Sequence, residues 1–297
     1  MEEENAITIV AASDNHYIIL LGALIKSIEI NHRTGEKLHF HIIDDGISSK
    51  NRIKLERSID PAKTTLSWFH SSEIVPSGTK LPVDRSAFPL TTYLRLFAPY
   101  IVADDLTKIL YLDVDMIAME DISKLWNTDL GAYLFGAVQD LSETVCSSWG
   151  GIPNYRELKI PELTKYFNAG LMLLNPKKWR ELNITNRVIS ALHENICHVN
   201  FADQYGLNVV LYNQWMELDP RWNSFSVHNI QSPFLIHFLD IKPIFKSYRS
   251  NPAYQRYFFY YLEQTEWKDL RPISGYKHVV RKIYNKLKKR MLRTMSV

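Results

Sequence analysis

Cysteine, glycine and long apolar runs are all scarce in this chain of 297 residues, and each scarcity excludes a class of protein. Two cysteines, Cys146 and Cys197, make no disulfide framework and are too few and too far apart for a structural zinc site. They read as reduced thiols. Eleven glycines and 13 prolines exclude fibrous and low-complexity classes. The longest apolar run, Tyr17 to Ile25, falls far short of the ~20 residues of a membrane span. The start, Met1-Glu-Glu-Glu-Asn5, lacks the charged-then-apolar pattern of a signal peptide, so the expectation is a cytoplasmic chain. There is no Gly-x-x-x-x-Gly-Lys phosphate loop, no Gly-x-Gly-x-x-Gly and no Gly-x-Ser-x-Gly elbow. P-loop, dinucleotide and serine-hydrolase readings therefore lose support.

What is present is an ordinary globular composition, 46% hydrophobic and 23% charged, with enough length for a sizeable core. The formal charge of +3 hides an asymmetry. Of 35 Lys/Arg, nine fall in residues 271–297, where there is no Asp or Glu. That leaves 26 basic against 32 acidic residues in 1–270, a body of about −6 carrying a tail of +9. No repeat and no Gly/Ser-rich linker interrupts the body, which is expected to be one elaborated domain over 1–270.

Short apolar runs punctuate the body. Ile7 to Ala12 reads as a strand buried on both faces, followed by Leu20, Leu21, Leu24, Ile25 and Ile28 at helical spacing. Leu38 to Ile43 and Thr64 to Phe69 are further strands, with a helix over Asn51 to Ile59 between them. This βαβαβ opening predicts a right-handed, doubly wound α/β sheet. Ser72 to Arg85 is long for a connector and reads as a lid. A helix is expected over Thr92–Tyr100, strands over Lys108–Leu112, Ala132–Val138, Leu171–Leu174 and Phe234–Phe238, and helices over 184–196, 202–212 and 252–263. Asn168-Ala-Gly170 is expected to be a turn before a strand.

Asp113-Val-Asp115 follows the Lys108–Leu112 strand directly. Ligands bind beyond the carboxyl ends of strands in open α/β sheets. Two carboxylates at i and i+2 on a strand share a face and suit a hard divalent cation such as Mn2+ or Mg2+. His237, at another strand end, is a candidate third ligand whose imidazole favours Mn2+ over Mg2+. Lys242 is placed to meet a phosphate. Asp203-Gln204 sits at a helix start, and Arg95 lies on the 92–100 helix.

The order of these segments is more specific than any one of them. Ala12-Ser-Asp-Asn-His-Tyr17, Thr91-Thr-Tyr-Leu-Arg-Leu96, Lys108-Ile-Leu-Tyr-Leu-Asp-Val-Asp115, Tyr166-Phe-Asn-Ala-Gly170, Asp203-Gln204 and His237-Phe238 with Lys242-Pro243 follow one another along residues 6–245. This series resembles glycosyltransferase family 8, retaining nucleotide-sugar transferases of GT-A fold, and is most similar to its bacterial lipopolysaccharide galactosyl- and glucosyltransferases.

The resemblance implies a UDP-hexose donor, a saccharide acceptor expected to be lipid-linked, and Mn2+, with Mg2+ as the substitute. It implies Asp113, Asp115 and His237 as metal ligands, with Asp113 also near the ribose. Asp14 and His16 would meet the uracil or ribose, Arg95 the phosphate or sugar side, and Lys242 the diphosphate. Asn168 and Asp203 would bond donor-sugar hydroxyls, Gln204 would lie near the anomeric carbon, and Asp140 would orient donor or acceptor. Gln204, Asp203 and Asp140 are thus the implied catalytic group. The family's last block usually reads His-Phe/Tyr-x-Gly-x-x-Lys-Pro-Trp. Here Asp240 replaces the Gly, one residue is missing and Ile244 replaces the Trp, while His16 stands where relatives often have Asn.

Two other readings stay open at this point. One is a phosphatase with Asp113 as nucleophile, and the other is a transferase-like scaffold that binds UDP without turnover. Nucleic-acid binding rests on the basic tail alone and is not expected. In that tail, Val279, Val280, Ile283, Tyr284, Leu287 and Met291 share one helical face and Arg281, Lys282, Lys286, Lys288 and Lys289 the rest. This layout suits an interfacial helix on an anionic membrane, at the inner face of the cell membrane.

Overall fold

The computed structural model describes residues 6–84, 86, 88–276, 280, 283, 284, 287, 290 and 291. In chain order the body runs β1 (Ala6–Asp14), α1 (Ile18–Asn31), β2 (Lys37–Asp45), α2 (Ser49–Ser58), β3 (Thr64–His70), α3 (Ser71–Ile74) and a 3-10 helix (Leu90–Tyr100). It continues through β4 (Ile109–Leu112), β5 (Met116–Ala118), α4 (Ser123–Trp126), β6 (Phe135–Thr144), β7 (Lys165–Leu174), α5 (Pro176–Glu181), α6 (Ile184–Glu194) and α7 (Ala202–Leu211). Then come β8 (Trp215–Glu217), a 3-10 turn (Pro220–Asn223), β9 (Ser224–Phe225), β10 (Leu235–His237) and α8 (Pro252–Leu262).

Seven strands form the central sheet in the order β3-β2-β1-β4-β7-β6-β8. β1 is in parallel register with β2 and β4, as the opening βαβαβ predicts. The sheet is mixed, however, because β7 runs antiparallel to both β4 and β6. Alternation along β1 sorts its side chains between two cores, with Ile7, Ile9 and Ala11 on one face and Val10 and Ala12 on the other. The first face packs against α1, α2, α8 and the small sheet. The second packs against the 3-10 helix, α5, α6 and α7. α1 is apolar almost all round because strand, small sheet and α8 cover it.

Three expected elements come out differently. The 92–100 helix is a 3-10 helix of 11 residues with Pro99 inside it, longer than such helices usually run. Outside donors hold its carbonyls: Thr185 Oγ donates to Leu96 O at 2.6 Å, and Arg180 donates to Pro99 O. Asn168-Ala-Gly170 is not a turn but the middle of β7, since buried Tyr166 and Phe167 extend that strand back to Lys165. Asp113 and Asp115 are not on a strand, because β4 ends at Leu112 and the chain crosses there to β5 of another sheet.

That crossing assembles the site. β5 starts directly after Asp115, and β10 pairs with it antiparallel so that His237 faces Met116. Phe238 N donates to Asp115 O at 2.9 Å, and Asp113 N donates to Gly170 O at 2.7 Å. The two acids are thus clamped by backbone bonds to β10 on one side and β7 on the other. Leu112, fully buried and paired with Leu171, is the last core residue before the crossing. Leu112→Ala is expected to cost about 2–5 kcal/mol, read as a lower urea midpoint with an unchanged slope.

Candidate active site

A cavity of about 700 Å3 opens beyond the carboxyl ends of β1 and β4. This is within the ~300–1,000 Å3 of ordinary ligand sites. Of the residues expected from sequence, Asp14, Arg95, Asp113, Asp115, Asp140, Asn168, Asp203, Gln204, His237 and Lys242 line it. His16 is not among the lining residues, and its ring lies 4.8 Å from that of Tyr17 and 6.2 Å from that of Phe245. Asp14 Oδ1 accepts from the backbone N–H groups of His16 and Tyr17 at 2.9 and 3.0 Å, fixing the turn into α1. Residue 84, near the end of the expected lid, is a buried Asp whose carboxylate accepts from the Tyr93 hydroxyl.

Arg95 lies beneath the cavity floor with 6% exposure. Its Nη2 is 3.2 Å from Asp113 Oδ1, its Nε 2.8 Å from Asp203 Oδ2, and its Nη1 donates to Ala169 O at 2.5 Å. The guanidinium also covers the Tyr111 ring, whose hydroxyl donates to Asp113 Oδ1 at 3.1 Å. Asp203 is fully buried, and neither carboxylate oxygen makes a well-aligned hydrogen bond despite the contact with Arg95. Burial pushes its carboxyl up to about 7, against the pull of Arg95 and with Asp113 and Asp84 adding to the rise.

Asp113, Asp115 and His237 each offer a ligand atom, all within 4.8 Å of one another. Two carboxylate oxygens and an imidazole nitrogen make a donor set suited to a divalent ion such as Mn2+. Gly170 forms the floor of this cluster. A Cβ there would lie 2.6 Å from His237 Cε1 and 2.9 Å from both Asp113 Oδ2 and Asn168 Oδ1, so only glycine lets these groups converge. Lys242 Nζ sits 2.5 Å from Asp115 Oδ2 and donates to Phe238 O at 2.8 Å. Burial alone would raise the Asp115 carboxyl, but Lys242 and His237 hold it well below the usual carboxylate range. Asp240, at the family's Gly position, takes the left-handed conformation at φ +57°.

A chain of side-chain amides joins this cluster to the implied catalytic group. Gly170 N donates to Asn168 Oδ1 at 3.0 Å, which fixes that oxygen as an acceptor. Asn223 must then present its amino group there, at 2.9 Å, and turn its oxygen to His237 Nδ1 at 3.0 Å. His237 therefore donates from Nδ1 to Asn223 and turns Nε2 toward Asp115, 3.3 Å away. At the other end, Asn168 Nδ2 donates to Asp140 Oδ2 at 2.7 Å, and Gln204 Nε2 reaches the same oxygen at 3.3 Å. Gln204 Oε1 accepts from Ala169 N at 3.0 Å, while Ser142 N and Oγ both donate to Asp140 Oδ1 at 3.0 Å.

Asn223 is absent from the sequence-based expectations. It lies 14 residues from His237 and 55 from Asn168, in no recognisable motif, and only the 3-10 turn before β9 brings it in. Because it orients the imidazole of a candidate metal cluster, Asn223→Ala is expected to weaken binding of Mn2+ used as a probe about 10–100-fold. Titration by electron paramagnetic resonance checks this, and unchanged affinity in a folded variant removes the orienting role.

Comparison with known proteins gives the site its context. The family model for glycosyl transferase family 8 matches residues 8–243. General stress protein A of Bacillus subtilis (strain 168) is 28% identical over 298 residues, spanning 91% of this chain and 98% of its own length. The lipopolysaccharide 1,2-glucosyltransferase of Escherichia coli (strain K12) is 27% identical over 87% of this chain and 78% of its own. The crystal structure of the galactosyltransferase LgtC with donor and acceptor sugar analogs matches with a TM-score of 0.74 at 24% identity, covering 89% of this chain and 99% of that one. That likeness establishes the GT-A fold. With the family model spanning β1 to Pro243, the chain belongs to glycosyl transferase family 8 and is a glycosyltransferase.

Proposed function

We propose that the chain is a retaining hexosyltransferase that moves galactose or glucose from a UDP-sugar to a saccharide acceptor, with Mn2+ as its divalent ion. The acceptor would be lipopolysaccharide, lipooligosaccharide or another cell-surface glycan. The observation that carries this reading is the Asp113–Asp115–His237 cluster, which opens onto the same cavity as the buried, Arg95-paired carboxylate of Asp203. A buried carboxylate with one ion-pair partner keeps acceptor capacity that hydroxyl groups of a bound sugar would use.

Asp113, Asp115 and His237 would hold the ion. Bound there, a divalent ion acts as a Lewis acid toward charge that develops on a departing diphosphate. Lys242, already at the cluster, adds a fixed positive charge beside it. Asp203 and Asn168 orient the donor sugar, and Asp14 faces the nucleoside. Gln204 has both ends of its amide engaged and is neutral, so it positions rather than attacks. Asp140 receives four donors, which occupy the acceptor capacity of its carboxylate. These engagements favour same-face substitution, in which the departing phosphate oxygen takes the acceptor's proton. A covalent glycosyl–enzyme trapped on Asp203 or Asp140 would overturn that mechanism.

The body over 1–270 would carry catalysis and the tail over 271–297 location, on the inner face of the cell membrane. No helix among the described residues is long and apolar enough to cross a membrane. Val279, Arg281, Lys282, Lys286, Lys288 and Lys289 lie outside the described residues. Val280, Ile283, Tyr284, Leu287 and Met291 are helical and exposed, which supports an interfacial helix beside the basic residues of the sequence.

Two experiments test the reading. Incubated with Mn2+ and a panel of UDP-sugars, the protein is expected to hydrolyse UDP-galactose or UDP-glucose slowly to UDP. Asp113→Ala and Asp115→Ala should reduce this to background without loss of fold. Turnover near the wild-type rate in chelator-treated buffer would exclude the metal role. Removal of residues 276–297 should free the protein from anionic liposomes while sparing activity on a soluble acceptor, and unchanged sedimentation would refute the membrane role.

A further inference from the structure

Three aromatic rings stand at the mouth of the cavity and none belongs to the groups assigned to the donor. Trp149 and Phe88 are 55% and 40% exposed, and Phe201 lies between them. The Trp149 and Phe201 centroids are 5.3 Å apart at 74°, and those of Phe88 and Phe201 are 5.7 Å apart at 45°. The rings come from three separate segments. Phe88 precedes the 3-10 helix, Trp149 lies between β6 and β7, and Phe201 is the N-cap of α7.

The exposed tryptophan is on an anchored backbone. Ser147 Oγ donates to Trp149 O at 2.9 Å, and Asn200 Nδ2 donates to Gly151 O at 2.8 Å. Gly150, at φ +80°, packs so close to Ser142 that a Cβ there would lie 2.1 Å from its Oγ. Ser142 is the residue that donates twice to Asp140. The loop that presents Trp149 is therefore tied to the implied catalytic group. Holding a large ring half in water on a fixed backbone leaves apolar surface that a ligand can cover.

Position in the sheet says which ligand. Asp14 is at the end of β1 and the metal cluster follows β4, whereas Trp149 follows β6, two strands further along the order β1-β4-β7-β6. A nucleoside at Asp14 with its diphosphate at the cluster leaves the aromatic rim on the far side of Gln204. We propose that Trp149, backed by Phe201 and flanked by Phe88, is the platform for the acceptor, and that this acceptor is a pyranoside whose C–H face stacks on the indole. The hydroxyl edge of the same ring is then offered to the polar side of the cavity at Asp140 and Gln204. This inference rests on the proposed transferase reading and names the substrate class on its acceptor side.

The test uses the full chain with Mn2+ and the UDP-sugar that it hydrolyses. Methyl β-D-galactopyranoside and methyl β-D-glucopyranoside serve as acceptor probes, with UDP release as the readout. At least one probe should raise UDP release above hydrolysis. In Trp149→Ala, KM for that probe should rise on the order of tenfold, the worth of one aromatic contact, while KM for the UDP-sugar stays the same. Trp149→Phe should restore most of the loss, and both variants should melt with wild type because the side chain is exposed. Unchanged acceptor KM in Trp149→Ala overturns the platform. A raised donor KM instead assigns the rim to the nucleoside and overturns it too. Hydrolysis that neither probe accelerates excludes the pyranoside class. Failure to hydrolyse any UDP-sugar is the separate result that removes the transferase reading, and the platform with it.

Discussion

A guanidinium buried under the cavity floor sets the terms for everything above it. Arg95 stays charged between Asp113 and Asp203, and burial of such an ion is tolerable only when it is paired on several sides. The pairing works in both directions. Arg95 needs the two acids, and the acids, otherwise neighbouring like charges in a poorly solvated place, need Arg95. The side chain comes from a 3-10 helix whose carbonyls are held by α5 and the start of α6, so its position is fixed from outside the site. The Asp113 side and the Asp203 side of the cavity therefore share one rigid support. Asp203, paired with Arg95 through Oδ2, keeps further acceptor capacity on the cavity side.

A second constraint runs from backbone to ligand. The N–H of Gly170 decides which way Asn168 points, Asn168 decides Asn223, and Asn223 decides the proton on His237. Amides that read as interchangeable in sequence have one orientation each, because a backbone N–H at one end and a carboxylate at the other leave no alternative. The same glycine is the floor that lets Asp113 and His237 approach. Replacing it would disturb Asp113, His237 and the orientation of Asn168 together.

Sequence carried the frame well. The apolar runs at Ile7–Ala12 and Leu38–Ile43 become β1 and β2, and Asp113, Asp115 and His237 converge as expected. The reason given for the acids was not the operative one, since alternation on a strand does not apply to a crossing between sheets. Periodicity also could not show that β7 runs antiparallel, because a wholly apolar stretch such as Leu171–Leu174 looks the same in either direction. Asn223 and Trp149 left no signal because their roles depend on neighbours supplied by distant segments, and a lone Asn or Trp has no period. The replacement of Gly by Asp240 was visible, but its setting was not. Asp tolerates the left-handed conformation better than most residues, so the turn accommodates it, and Lys242 from the same loop lies on Asp115.

That placement balances the cluster's charge. Asp113 is paired with Arg95, which it shares with Asp203, and Asp115 with Lys242, so the protein's own cations offset most of the charge of these acids. In the proposed reading, a divalent ion entering this set makes it net positive, opposite in sign to a sugar-linked diphosphate. A cluster of unpaired acids would instead spend the ion's charge on its own carboxylates and leave little for the leaving group. In that reading the departure at Asp240 leaves phosphate contact to Lys242. The loop brings its positive charge to Asp115 through Lys242, and Asp240 keeps the geometry of the turn.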